Sequence, residues 1–341
     1  MLFADPSEQP RCRKFSFESD FVHEPLLASF RKPSPFQLWN SDLNASVHLL
    51  RKVLPSVVHL RTEISPEHRS AAILGTERAG SGVVLSSVGG LILTAHYLLI
   101  GADRVQIDCL DGRTVEGRVF GVDYDSGLGI VAPEQSGLAG LPLAPQGHGP
   151  VGSEAFLVAS IGDEHRVASG LIMSVSGFDA LWEFCLAAAI YFSAPNPGLG
   201  GGPLLDAHGR VLGIAALSMA DVARPTVVFP GTACAAMIEA IETHGVYRPG
   251  VSGGWLGLMC LALGPRLVVS GVFPGSPADQ SGLQPGDTIL SYQGREVSDR
   301  GDFYRRIRQT GAGATATIRV RRSTGTVELE LRTGALETYF A

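Results

Sequence analysis

The sequence predicts a mostly β protein of two domains, and three observations carry that reading. Residues 81–131 and 154–217 are runs of short, apolar, β-branched segments separated by Gly and Asp-Gly turns. The 341 residues include 42 glycines and 21 prolines, the turn formers that an all-β chain needs. Beyond a Pro-Gly linker, a smaller stretch alternates apolar and polar residues, as strands with one wet face do. Apolar residues at 45% and charged residues at 18% leave ample material for cores and give no sign of global disorder. The length fits two domains.

Residues 1–45 are polar and proline-punctuated but carry Phe3, Phe15, Phe17, Phe21, Phe30, Phe36 and Trp39. Exposed rings in an irregular segment are costly, so this stretch reads as a docking or oligomerisation element, with a disordered tail as the alternative. From Ser46 to Val58 the pattern is a short helix running into a strand, with Pro55 ending the helix. Strands then follow at short spacing through Val131, and Asp111-Gly112 is a two-residue hairpin signal. A second set runs from Glu154 to Leu217, and the spacing suggests a sandwich or barrel. Thr232–Thr243 is the clear helix of this half, stopped by His244-Gly245. Arg248-Pro249-Gly250 reads as the linker, and the smaller unit starts at Gly254.

Several function classes are excluded. A net charge of −6 argues against nucleic acid as a bulk electrostatic partner. Five scattered cysteines without a C-x-x-C pair indicate neither a disulfide framework nor a zinc site, and read as buried thiols. None of the nine histidines forms a close-spaced pair, so no metal or cofactor is expected. The first twenty residues lack an apolar core behind their basic residues, and no stretch approaches 18 consecutive apolar residues. The expectation is a cytoplasmic protein without a membrane span, periplasmic only if the start of the sequence is misassigned.

Four segments resemble the HtrA (Deg) serine proteases. The stretch from Ser81 to Thr94 is similar to the entry of their catalytic barrel, and Gly101–Val131 to the strands that follow. Asn196–Ile214 resembles the nucleophile loop and the next strand pair. The tail resembles the family's PDZ domain, with Trp255-Leu256-Gly257-Leu258 as its carboxylate-binding loop and Ser276–Gly294 as its core. The resemblance implies a chymotrypsin-like double β-barrel over residues 46–248 followed by a PDZ domain over 251–334.

Trypsin-like chemistry needs a hydroxyl nucleophile, an imidazole to take its proton and a carboxylate to orient the imidazole. The family motif N-P-G-N-S-G-G-P is Asn196-Pro197-Gly198-Leu199-Gly200-Gly201-Gly202-Pro203 here, so Gly200 stands at the serine position. The motif D-P-x-x-D-L-A aligns with Asp123–Gly129 and puts Gly127 at the aspartate position. Asp125, two residues away on a strand, is displaced by about 6–7 Å. For the histidine, an ungapped alignment places Tyr97, while a one-residue slip restores His96. Ser193 and Ser126 lie nearby but off the nucleophile elbow. A chain without its triad keeps only about 10³–10⁴-fold catalysis over water, from the oxyanion hole and binding. The amides of Gly198 and Gly200 are the expected remnant of that hole.

The expected working surface is therefore the PDZ groove, which captures a peptide C-terminus by strand addition. Loop amides at Leu256, Gly257 and Leu258 would hold the carboxylate, and Phe303 and Ile307 would wall the pocket. Trp255 is either ligand contact or core, and Arg305 and Arg306 either favour acidic ligands or form a solvated face. The function implied is a non-catalytic protein that binds peptides or unfolded segments. The rivals are an active endopeptidase in protein quality control and a regulatory partner of an active HtrA paralogue. Trimeric assembly through residues 1–45 is part of the resemblance.

Overall fold

The computed structural model describes residues 40–341, apart from 88, 136, 219–224, 246 and 248–252, and the backbone alone at 40–46. The aromatic segment 1–39 and the linker Arg248-Pro249-Gly250 lie outside the described residues. Helix α1 (Asn40–Val53) passes through a short 3-10 turn at Pro55 into strand β1 (Val57–Glu63). After α2 (Ala71–Leu74) come β2 (Glu77–Val84), β3 (Ile92–Ala95), β4 (Arg104–Asp108), β5 (Thr114–Asp123) and β6 (Leu128–Pro133). These strands close into a barrel in the order β1-β2-β3-β6-β5-β4. Strand β3 ends at Ala95, and His96–Leu98 form a 3-10 turn that carries the candidate residues out of the barrel.

The second barrel contains β7 (Glu154–Ile161), β8 (Glu164–Asp179), β9 (Cys185–Phe192), β10 (Pro203–Leu205), β11 (Val211–Ser218) and β12 (Thr226–Pro230). It closes in the order β10-β11-β12-β9-β8-β7. Helix α3 (Ala235–His244) follows a 3-10 turn at Gly231–Cys234 and stops at Gly245 in the left-handed conformation. The last unit has β13 (Leu258–Leu263), β14 (Arg266–Val272), α4 (Pro277–Gln280), β15 (Thr288–Tyr292) and β16 (Arg295–Glu296). It finishes with α5 (Arg300–Thr310), β17 (Thr315–Arg322), β18 (Gly325–Arg332) and α6 (Leu336–Tyr339). Its sheet runs β13-β14-β15-β17-β18 with β16 on β15. The expected architecture, a mostly β double barrel followed by a PDZ sheet, is the one observed.

Each barrel has its own apolar filling: Leu60, Ile92 and Ile107 in the first, Leu157, Phe192 and Leu212 in the second. A third cluster joins the barrels through Leu93, Leu128, Val158, Ile214 and Phe229. Buried polar groups along that seam must find partners inside the protein, because water is excluded. Ser81 Oγ accepts from the Ser160 amide (2.9 Å) and donates to the Ser160 carbonyl (3.1 Å), while Thr94 Oγ1 donates to the Ser81 carbonyl (2.6 Å). The Ser81 amide donates to the Gly200 carbonyl (2.8 Å), which ties the nucleophile-position loop to the first barrel. Ser81→Ala strips the Ser160 amide of its acceptor, and a loss of about 1–3 kcal/mol is expected in urea unfolding. A change within about 0.5 kcal/mol, the range of an ordinary surface substitution, would contradict this.

Candidate functional site

The cleft between the barrels is built by three turns. One follows β3 and carries His96 and Tyr97, one joins β5 to β6 and carries Gly127, and one precedes β10 and carries Gly198 and Gly200. The pairing of β3 with β6 fixes the first two together, with Ala95 opposite Leu128 and the His96 amide donating to the Gly127 carbonyl (2.9 Å). The turn after β3 is held from below by Arg78. Its guanidinium donates to the carbonyls of Tyr97 and Ile100 (both 2.8 Å) and to Ser70 Oγ (2.7 Å).

Tyr97 reaches across the cleft to Gly200. A Cβ built on Gly200 would overlap the Tyr97 hydroxyl oxygen, so the phenol fills the space a residue-200 side chain needs. Burial pushes the Tyr97 hydroxyl up to about 12, far from an ionisable base at neutral pH. Gly127 is closed off in a different way. Its φ of +74° lies in the left-handed region, and a Cβ there would overlap the Phe229 ring and lie 3.0 Å from Phe184 Cζ. The space an acid would use is filled by two phenyl rings.

His96 is packed among aromatic rings. Its ring stacks on Phe184 (6.1 Å between centroids) and meets Tyr97 and Tyr124 edge-on (6.3 and 6.0 Å). Among the described residues its Nδ1 has no hydrogen-bond partner. Burial lowers its pKa to about 4, against the opposing influence of the Gly127 carbonyl and the Asp123 carboxylate. Tyr124 in turn stacks on Phe340 from the chain's last segment (6.2 Å), and the Phe340 carbonyl lies 2.9 Å from His68 Nε2. The loop of Gly198 is also committed, because its amide donates to Asn196 Oδ1 (3.2 Å) rather than pointing free into the cleft. Ser193 Oγ and Ser126 Oγ accept from the amides of Leu171 (2.9 Å) and Leu128 (3.3 Å).

The loop expected to hold a terminal carboxylate is met by a side chain of its own chain, Glu183. Glu183, on the tight connection between β8 and β9, accepts from the amides of Leu256 (3.0 Å) and Gly257 (2.9 Å). Burial pushes the Glu183 carboxyl up to about 8, while the amides of Leu256, Gly257 and Leu258 pull it down. Trp255 is core: it is buried against Tyr339 (4.7 Å) and Phe273 (6.0 Å). Phe303 and Ile307 are fully buried in the same core as Leu256 and Leu258. Arg305 and Arg306 both pair with Asp302 on their own helix. The groove cation is Arg300, which sequence reasoning passed over; it grips Asp179 through the carboxylate and the carbonyl. Arg308 forms a second ion pair to the barrel through Asp125.

Two antiparallel six-stranded barrels meeting at such a cleft, followed by this sheet, define a trypsin-like protease body with a PDZ domain. The family comparisons agree, matching a trypsin-like peptidase domain over residues 80–214 and a PDZ domain over 254–333. The chain is 29% identical over 276 residues to a periplasmic DegP-like serine endoprotease of Hahella chejuensis. That match covers 76% of this chain and 58% of the relative, so the chain spans little more than half of that protein's length. It is also 29% identical over 285 residues to the serine protease HhoA of Synechocystis, covering 75% of this chain and 71% of that protein. Among solved structures, the HtrA-type protease AlgW with a tripeptide is 25% identical, with a TM-score of 0.51 over 85% of this chain and 96% of that one. A serine endoprotease from Yersinia pestis is similar in fold, at 20% identity and a TM-score of 0.52 over 90% of this chain and all of that one. The chain thus carries a trypsin-like peptidase domain joined to a PDZ domain, an arrangement similar to that of the HtrA- and DegP-type serine proteases.

These relatives also correct the cytoplasmic expectation. Several are named as periplasmic enzymes, which points to the periplasm. The expectation rested on a missing apolar leader, and nothing about compartment follows from where this sequence starts. Among the described residues, no helix is long and apolar enough to cross a membrane.

The enclosed His96 gives a pH test. Its proton is bound less readily in the fold (about 4) than in the unfolded chain (6.5), so stability should fall as pH drops from 6.5 towards 4. The fall attributable to this residue is up to about 3 kcal/mol. Comparison of urea unfolding across that range should show a flatter profile for His96→Phe than for the parent chain. Identical profiles would place the imidazole in water instead.

Proposed function

We propose that this chain is a non-catalytic HtrA-type protein that recognises peptides or unfolded segments through its PDZ domain. The observation that carries the reading is the shared space of Tyr97 and Gly200: the residue at the nucleophile position has no side chain, and the cavity one would need is filled by a phenol. Gly127 supports it independently, since an aspartate there would need a left-handed backbone and would collide with Phe229. The committed amide of Gly198 leaves the oxyanion-hole remnant incomplete. His96 is neutral at pH 7 and packed on Phe184, so it has neither a nucleophile to activate nor a carboxylate to orient it.

The relatives named as serine proteases make an active endopeptidase the obvious rival. Assays with casein and a fluorogenic peptide separate the two. No turnover is expected from the parent chain, and turnover blocked by a serine-directed phosphonate would overturn the reading. Gly200→Ser is expected to remain inactive and to lose about 1–3 kcal/mol by overpacking against Tyr97. The triple variant Tyr97→His, Gly127→Asp, Gly200→Ser is also expected to be inactive, because Phe229 and the φ of Gly127 still exclude the acid. Assembly of several copies through residues 1–45 belongs to the same reading and would multiply peptide avidity. Light scattering on the full chain tests it, and a clean monomer removes it.

A further inference from the structure

The segment that fills the PDZ groove is laid out like a bound peptide. Trp182 bridges Met259 of β13 in antiparallel register, and the Cys260 amide donates to the Leu181 carbonyl (2.8 Å). The Tyr304 hydroxyl on α5 donates to the same carbonyl (2.8 Å), so the segment is clasped between the strand and the helix. Next along the chain, the Glu183 side chain supplies the carboxylate that the loop amides of Leu256 and Gly257 hold. Upstream, Arg300 at the start of α5 binds the Asp179 carboxylate and carbonyl, and it also donates to the Cys260 carbonyl (3.1 Å). Backbone pairing, a carboxylate in the loop and a second carboxylate on an arginine two residues before the paired carbonyl together describe a ligand.

Resting on the peptide-binding reading above, we propose that the groove takes an extended peptide with a free terminal carboxylate and an upstream acidic side chain, and that the Leu181–Glu183 strap occupies the same sites and must leave before it enters. The chemistry of the occupant argues for this class of ligand. A carboxyl group buried against backbone amides satisfies donors that water does not reach, and a ligand with no acceptor at that place would leave those amides unpaired. Arg300 is a fork donor placed on the groove wall, with its carboxylate partner, Asp179, at the end of β8 just before the strap and not on its own helix. An incoming peptide that lacks an acidic residue there would break this ion pair without replacing it.

The test uses the full chain and a fluorescein-labelled probe, Gly-Phe-Asp-Ala-Leu-Trp-Glu with a free C-terminus, which copies the strap. Fluorescence anisotropy is compared for the parent chain, Glu183→Ala and Arg300→Ala in the Glu183→Ala background. The Glu183→Ala chain is expected to bind at least about tenfold more tightly than the parent, the effect of removing one hydrogen-bonded competitor. On that chain, a probe with Asn in place of Asp should bind about three- to tenfold more weakly, and the Arg300→Ala change should abolish the difference. Equal affinity of the parent and Glu183→Ala chains would overturn the strap while leaving peptide binding intact. A probe ending in Gln amide that binds every chain as well as the acid would overturn both readings. Hydrogen exchange on the unmodified chain requires no variant: the amides of Leu256, Gly257 and Cys260 should be protected without any peptide, and exchange at open-loop rates would remove the proposal.

Discussion

Two side chains cannot share one space, and in the cleft of this protein that constraint falls on residues 97 and 200. The phenol of Tyr97 stands where any side chain on residue 200 would begin. It is held there by a turn whose carbonyls are fixed by a buried guanidinium, Arg78, itself satisfied by neutral oxygens. Burial lowers the Arg78 pKa to about 10, the cost of keeping a cation in that position. From the other side, the Ser81 amide grips the Gly200 carbonyl and fixes the loop at that height. The tyrosine and the glycine are thus complementary halves of one packing solution, not two separate losses.

The same filling continues into the acid position and then out of the cleft. Phe184 stacks on His96 and packs beside Gly127 and Phe229. Its neighbour Glu183 points the other way, into the loop amides of the PDZ domain. Adjacent residues on one tight connection therefore close both of the pockets that define this architecture. The ion pairs of Arg300 with Asp179 and Arg308 with Asp125 fasten the same junction from the PDZ side.

Much of this was legible in the sequence, and what was not has a physical reason. Strand spacing and turn residues give a sandwich or barrel, and the resemblance to the HtrA proteases supplies the double barrel and, through its motifs, Gly127 and Gly200. The choice between His96 and Tyr97 turned on a one-residue slip, which local pattern does not resolve. The aromatic filling of the cleft depends on Phe184 and Phe229, which lie far from Gly127 in sequence and read as ordinary strand residues. Glu183 was invisible for the same reason: a lone carboxylate between apolar strands looks like a solvated hairpin tip until the fold carries it to Leu256. Trp255 had two open readings, and contact with Tyr339 and Phe273 makes it core.

The central claim is that no nucleophile is available in the cleft. Intact-mass spectrometry of the full chain after prolonged incubation with a fluorophosphonate tests it most directly, because the reagent needs only an activated hydroxyl and no substrate fit. An unchanged mass is the expected result. A stoichiometric adduct on a serine of the barrels would contradict the account.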